Sequence, residues 1–293
     1  MTGQQFEKGG VVNYLIDLPI RALMWLFGLL PYRASLSFAG WLMSRVIGPP
    51  FGTNSRIRAN LEHVWPDMQE ADKRRLCREA GENATRLMLE SFRVPDFLDH
   101  AARAEMQGAG KAALLEALEA GRPVILVSGH FGNYQVLRVL LRLRGYPIAA
   151  IYRPMSNAFT NRRYIDNMDR IAAPNHSRGM AGTKALLTHL KNGGAILLLN
   201  DQAAGEGKVL RFLGKPALTM TSAAEFALKY DALLFPFYGI RQPNGVDFEV
   251  EVEAPVPHSD PETMTQALND SLEARVLAHP GQWFWMHRRW KGL

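Results

Sequence analysis

An α/β fold, with a largely parallel twisted sheet flanked by helices and an N-terminal helical layer, is what the apolar patterning of this chain predicts. Three features carry that expectation. Short runs that stay apolar throughout, VILVS (124–128), PIAAIY (147–152), AILLLN (195–200) and LLFPFYGI (233–240), have the length and continuity of strands buried on both faces. Segments with helical apolar spacing separate them, and strands alternating with helices build a parallel sheet. Before about residue 120 the pattern is helical alone.

In chain order, residues 11–31, VVNYLIDLPIRALMWLFGLLP, are the most lipid-like. Asp17, Pro19 and Arg21 interrupt them, so the uninterrupted apolar stretch is short for a membrane span. Asp17 also breaks the pattern of a cleaved signal peptide. An interfacial or tilted anchor helix, with Trp25 and Arg21 at headgroup level, fits the segment. Residues 1–47 are therefore assigned to membrane-associating helices and 48–293 to the main domain. Within the latter, 72–93 and 108–123 read as helices, the second stopped by Gly121 and Pro123, and GPPFG (48–52) marks a turn after an earlier helical stretch, 34–47. Helices are then expected at 133–144, 157–170, 183–191 and 222–230. PNG (243–245) before the alternating FEVEVE (248–253) predicts a hairpin onto an antiparallel strand. A last helix, about 261–278, leads to WFWMHRRW (283–290), which has the composition of a membrane-interface or interdomain belt.

Composition narrows the partners. The 293 residues are 47% hydrophobic and carry no low-complexity tract, which supports a folded chain with a sizeable core. The formal net charge of +6 favours anionic partners: phospholipid headgroups, nucleic acid or an acidic carrier protein. Lys and Arg are scattered and no nucleic-acid-binding signature is present, which sets nucleic acid aside. Cys77 is the one cysteine, which rules out an intrachain disulfide and a multi-cysteine metal site.

The chemistry is expected where a strand gives way to a helix, because reactive groups of open α/β sheets collect there. SGHFGNYQV (128–136) occupies such a junction: strand 124–128 ends, Gly129 and Gly132 allow a tight turn, and a helix begins near Asn133. His130 would lie on an exposed bend, beside backbone N–H groups able to steady an oxyanion. Ser128 precedes the turn rather than sitting on it, so the nucleophile elbow of a serine hydrolase is absent.

This segment resembles the first motif of the lysophospholipid acyltransferase superfamily, in the branch of bacterial lipid A biosynthesis acyltransferases, where a histidine is followed after four residues by Asp or Glu. YRP (152–154), NDQ (200–202), RFLGKPA (211–217) and WFWMHRRWK (283–291) agree in order and spacing, so the similarity covers roughly 50–291. The resemblance implies an O-acyltransferase in lipid biosynthesis. In it His130 takes the proton of an acceptor hydroxyl as that oxygen attacks the thioester of acyl carrier protein, the favoured donor, or of coenzyme A. The acceptor would be a lyso-lipid or lipid A-type molecule, met at the cytoplasmic face of a bacterial inner membrane. No metal or redox cofactor is implied; the acyl thioester is a co-substrate.

The sequence departs from the motif at position 135, which is Gln. As the motif has it, this residue orients the histidine ring and stabilises the imidazolium. An amide oxygen still accepts a ring N–H but brings no charge, and the amide can turn to favour the wrong tautomer. In serine proteases a carboxylate-to-amide exchange of this kind costs about 10⁴-fold in turnover. Gln135 is then an engineered exchange of a near-isosteric Glu, a natural variant that stays active, or the mark of a non-catalytic lipid-binding relative. The otherwise intact motif favours the first.

Arg153, after the second strand, is the expected anion contact. Asn133, Asp201 and Gln202 complete the expected substrate-binding set, Asp201 having turn capping as its alternative. Lys208 and Arg211, in GEGKVLRF, would meet a phosphate or carrier protein or else stay solvated; Arg138 and Arg142 are read as exposed; His287 is not expected to be catalytic.

Overall fold

The computed structural model describes residues 10–203 and 206–292. Residues 1–9, within the segment assigned to membrane-associating helices, and Gly205 of the predicted glycine-bearing loop lie outside the described residues.

The N-terminal layer is helical: α1 (Val11–Gly28), α2 (Tyr32–Leu42), α3 (Thr53–Val64), α4 (Glu70–Glu90) and α5 (Val94–Ala102). Past the end of α2 the chain winds into a π-helical turn over Met43–Ile47 before a short 3₁₀ turn, Pro49–Phe51, leads into α3. The remainder alternates strand and helix: β1 (Glu105–Gln107), α6 (Lys111–Glu119), β2 (Val124–Ser128), α7 (Gln135–Leu143), β3 (Ile148–Tyr152), α8 (Ala158–Ile171), β4 (Asn175–Ser177), α9 (Met180–Lys191) and β5 (Ala195–Leu199). A hairpin follows, β6 (Lys208–Phe212) and β7 (Lys215–Thr219), then α10 (Ser222–Tyr230), β8 (Leu233–Arg241), β9 (Phe248–Val252) and α11 (Pro261–Ala278).

Seven strands form one sheet in the order β1-β9-β8-β2-β5-β3-β4. All neighbours run parallel except β8 and β9, the antiparallel pair that the PNG turn predicts. The central strands are buried on both sides, which is why they read as unbroken apolar runs. Val124 and Leu126 of β2 face a core built with α5, α6 and α7. Ile125 and Val127, the alternate residues, face a second core with α9, α10 and α11. A third cluster joins α3 and α4 to the hairpin and the C-terminal tryptophans.

The elements not anticipated have weak signals for physical reasons. β4 is the polar tripeptide NHS, and β1 buries only Met106. The β6–β7 hairpin turns on Leu213 and Gly214, both at positive φ, and leucine stands where Asn or Asp ordinarily announces such a turn. The Leu213 N–H is taken by Glu273 of α11, a tertiary contact that holds the unfavoured backbone in place.

The C-terminal belt is corrected by the structure. Trp283, Trp285 and Trp290 are buried in the third core cluster, and Arg289 is fully buried, donating to Leu218 O and Thr219 Oγ1. These side chains close the molecule internally and do not present an aromatic surface to a membrane.

Candidate active site

β2 and β5 are parallel neighbours with Ser128 opposite Leu199. Two residues beyond that pair, the same register brings His130 opposite Asp201. The His130 Nδ1 lies 2.7 Å from Asp201 Oδ1, and Asp201 Oδ2 accepts the His130 backbone N–H at 2.8 Å and the Trp283 indole N–H at 2.9 Å. The carboxylate of Asp201 is buried, while the His130 side chain keeps 26% of its surface exposed. One group holds and the other faces outward.

The environment separates the two ionisations. Burial alone would push the imidazolium of His130 down, but the Asp201 charge and its hydrogen bond outweigh that and raise the ring above the ordinary histidine value. Burial would likewise raise Asp201; His130 and the bonds to its oxygens prevail and hold it at about 2. Asp201 therefore stays ionised, and its bond to Nδ1–H leaves the lone pair on Nε2. Nε2 looks toward Gln202, an exposed residue whose amide nitrogen is 3.5 Å away.

Much of the backbone of the 130–135 loop is bonded to the rest of the protein. The N–H groups of His130, Gly132, Asn133 and Gln135 are bonded to Asp201, Gln282 O, Gly239 O and Asn133 Oδ1 respectively. Four of the bend's N–H groups are thus spent on holding the loop and are not available to an oxyanion. Gly132 has φ of +51° and abuts the Gly239 carbonyl, so no side chain fits there. Residues 283–284 zip against the loop through the Phe131–Trp283 bridge and the Phe284 N–H to His130 O bond of 2.9 Å.

The remaining sequence-predicted residues disperse. Gln135 is buried and turned away from the histidine: its oxygen accepts from Arg138 Nη1 at 3.0 Å and its nitrogen contacts Met168 Sδ at 3.6 Å. The partner of the His130 ring is Asp201, so the expectation that residue 135 orients the ring is corrected. Arg138, read as exposed, is fully buried; its guanidinium is coordinated by Gln135, Asn175 and the carbonyls of Ile148 and Ala172. Burial lowers its pKa to about 10. Arg142 is exposed, as read.

Asn133 is buried and structural, caging Gln135 N with its oxygen and donating to Glu90 Oε2 at 2.8 Å. Its side chain, like that of Asp201, is buried and bonded within the protein. Arg153 is exposed at the C-terminal end of β3, with no protein hydrogen bond or ion pair among the described residues. With β5 between β2 and β3, it stands roughly 10 Å along the sheet edge from the histidine strand. Lys208 is exposed on β6 and pairs with Glu262 at 3.0 Å; the Arg211 side chain is exposed on the same strand. His287 Nε2 accepts the Ala203 N–H at 3.0 Å, so it supports the segment after Asp201.

Two supporting residues escaped sequence reasoning. Glu90 of α4 and Arg241 of β8 form a buried ion pair behind the loop, Arg241 Nε reaching Asn83 Oδ1 at 3.0 Å. Nothing local marks them, since each is an ordinary charge at an element's end; a buried pair is visible only once packing is known.

The family model for the bacterial lipid A biosynthesis acyltransferases matches residues 9–292, almost the whole chain. The chain belongs to that family. It is 24% identical over 245 residues to a lipid A biosynthesis lauroyltransferase of Escherichia coli (strain K12), a match covering 80% of this chain and 78% of that protein. A phosphatidylinositol mannoside acyltransferase of Mycolicibacterium smegmatis is also 24% identical, over 246 residues covering 82% and 80%. A lipid A biosynthesis palmitoleoyltransferase of Escherichia coli (strain K12) matches at 22% over 276 residues, 92% and 89% of the two chains. The protein is therefore an acyltransferase of lipid biosynthesis, with a lipid acceptor and an acyl donor as its substrates.

Proposed function

We propose that the chain transfers a fatty acyl group from a thioester donor to the hydroxyl of a lyso-lipid or lipid A-type acceptor, with His130 as general base and Asp201 as its positioning carboxylate. The observation that carries this reading is the 2.7 Å His130–Asp201 pair at the open end of the sheet, its Nε2 lone pair turned outward. His130 Nε2 removes the acceptor O–H proton as the oxygen attacks the thioester carbonyl. The tetrahedral intermediate collapses by breaking the C–S bond, and the departing thiolate takes the proton back from the imidazolium, giving ester and free thiol. Asp201 remains ionised throughout and steadies the imidazolium.

The Gln202 carboxamide, whose nitrogen lies 3.5 Å from His130 Nε2, would donate to the developing oxyanion. Arg153, exposed at the end of β3, would bind an anionic group of the acceptor. An open cavity of about 740 Å³ lined by Arg56, Ala203, His287, Arg288 and Lys291 adjoins the 201–203 segment at Ala203. Its three cations and the net charge of +6 suit the phosphate-bearing arm of an acyl carrier protein, the donor favoured here over coenzyme A. The reaction draws on the thioester for its activation and calls for no metal or redox cofactor. The basic surface and apolar α1 suit the cytoplasmic face of a bacterial inner membrane.

The alternative, a lipid-binding relative without turnover, rested on the missing carboxylate at 135; Asp201 supplies one. The deciding experiment offers acyl carrier protein and coenzyme A thioesters with a panel of lyso-lipid and lipid A-precursor acceptors, products being read by mass spectrometry. An acyl ester formed by the chain and lost in His130→Ala is expected. Lipid binding without ester formation by either protein would make the chain a binder and end the proposal.

A further inference from the structure

α1 has its polarity inverted for a helix in water. The stripe turned to the protein contains the polar Asn13 and the fully buried Asp17, followed by Ile20, Leu23 and Phe27. The opposite face is apolar and open: Val11, Leu15, Ile16, Trp25, Leu26 and Leu29 are each more than half exposed. Water outside would favour the reverse arrangement, since exposed apolar area is unfavourable and a buried carboxylate needs a partner.

The helix is also fastened at both ends to the same globular body. Near its N-terminus, Asp17 accepts from Thr160 Oγ1 at 2.7 Å and from both terminal nitrogens of Arg163, while the Asn13 carbonyl accepts from Asn157 Nδ2 at 2.8 Å. All three partners are on or at the start of α8. At the other end, Arg93 donates to the carbonyls of Phe27 at 2.7 Å and Leu30 at 3.2 Å.

We propose that α1 is a monotopic helix lying in the plane of the bilayer, its outer face covered by lipid and its inner face latched to α8 through Asp17, Arg163 and Thr160. Its 18 residues span roughly 27 Å, close to the thickness of a hydrocarbon core, so length alone would allow crossing. Crossing would carry one set of fastenings, either the Arg93 contacts or the α8 latch, to the far side of the membrane together with the domain that bears them. Lying flat satisfies both. Trp25 and Arg21 then reach the headgroup layer from the same helix. Because α8 follows directly after β3 and Arg153, the latch sets the bilayer against the sheet edge that carries His130. An acceptor lipid would enter the site sideways from the leaflet. This inference concerns membrane geometry and stands apart from the assignment of His130.

The test uses the full chain with Cys77→Ala and single cysteines at Leu15→Cys, Ala22→Cys or Leu29→Cys, each carrying a nitroxide. The labelled proteins are bound to phosphatidylethanolamine–phosphatidylglycerol vesicles, and depth is read from the relative accessibility to oxygen and to a polar nickel complex. Equal depths at the headgroup–acyl boundary for all three labels are expected. A gradient with Ala22 deepest and the ends at opposite surfaces would overturn the proposal, as would shielding from both reagents with self-association, which would mean that a second copy covers the face. Asp17→Asn and Arg163→Gln are each expected to loosen the label at residue 15 while leaving that at 29 unchanged; unchanged spectra at both would refute the latch. None of these readouts needs acyl transfer.

Discussion

Asp201 holds its charge at about 2 while raising the histidine it touches, and this coupling has a signed consequence for pH dependence. As the proposed base, His130 would work as neutral imidazole, so its raised pKa would move the acid limb of kcat/KM above the ordinary histidine value. Asp201→Asn removes the charge responsible, leaving burial unopposed; the limb should move to lower pH while kcat falls by about 10²–10⁴-fold, the range of general-base contributions. An unshifted limb would show that another group titrates. Stability follows a separate rule: a depressed carboxylate contributes above its unfolded pKa and loses that contribution as pH falls toward about 2. At position 135 the expectation is the opposite of a rescue. Gln135→Glu would place a carboxylate against buried Arg138, not against His130, so turnover should change no more than a few-fold. A gain of about 10³-fold or more in the same acyl-transfer assay would instead restore the motif reading of that residue.

At the scale of elements, the reactive loop is held between β2, β5 and β8 rather than by its own turn. Gly132 touches the Gly239 carbonyl of β8, Gln282 takes its N–H, and Glu90 secures Asn133 while pairing with Arg241. Breaking one partner of such a buried pair leaves an uncompensated charge and costs about 3–5 kcal/mol. Arg241→Met should therefore lower the unfolding midpoint markedly, whereas Glu90→Gln with Arg241→Met together should recover part of the loss. Thermal unfolding of the single and double variants separates these outcomes. The main strands and helices were legible in advance because their burial pattern is their sequence pattern: β2 and β8 carry no charged residue before their last positions, Ser128 and Arg241, and α10 and α11 match their predicted bounds. β4 and the Leu213–Gly214 turn were not, since partners far along the chain supply what their own residues lack.

Across the whole molecule, the proposed reading assigns acceptor and donor to different surfaces. The apolar outer side of α1 borders the histidine edge through α8, while Arg56, Arg288 and Lys291 gather at the cavity beside Ala203. Donor and acceptor would thus arrive from separate directions, one from solution and one from the leaflet. Reversing charge in the cavity with Arg288→Glu should raise KM for an acyl carrier protein thioester several-fold, more at low salt, while leaving KM for the lipid acceptor unchanged. Equal shifts for both substrates would place the acceptor in the same cavity.

Patterning by itself determined the α/β class, the order of the principal elements and the histidine at the strand end, because each is written in local sequence; the family was legible only through the resemblance of its motif blocks to known ones. Which carboxylate meets that histidine was a tertiary decision. His130 and Asp201 are 71 positions apart and meet only because β2 and β5 are parallel neighbours in one particular register, a relation that no spacing along the chain encodes. The same holds for Arg138: four positions before Arg142 and on the same face of one helix, it is buried while Arg142 is solvated, because β3 and the chain leading into β4 close over the first turn of α7 and not over its last.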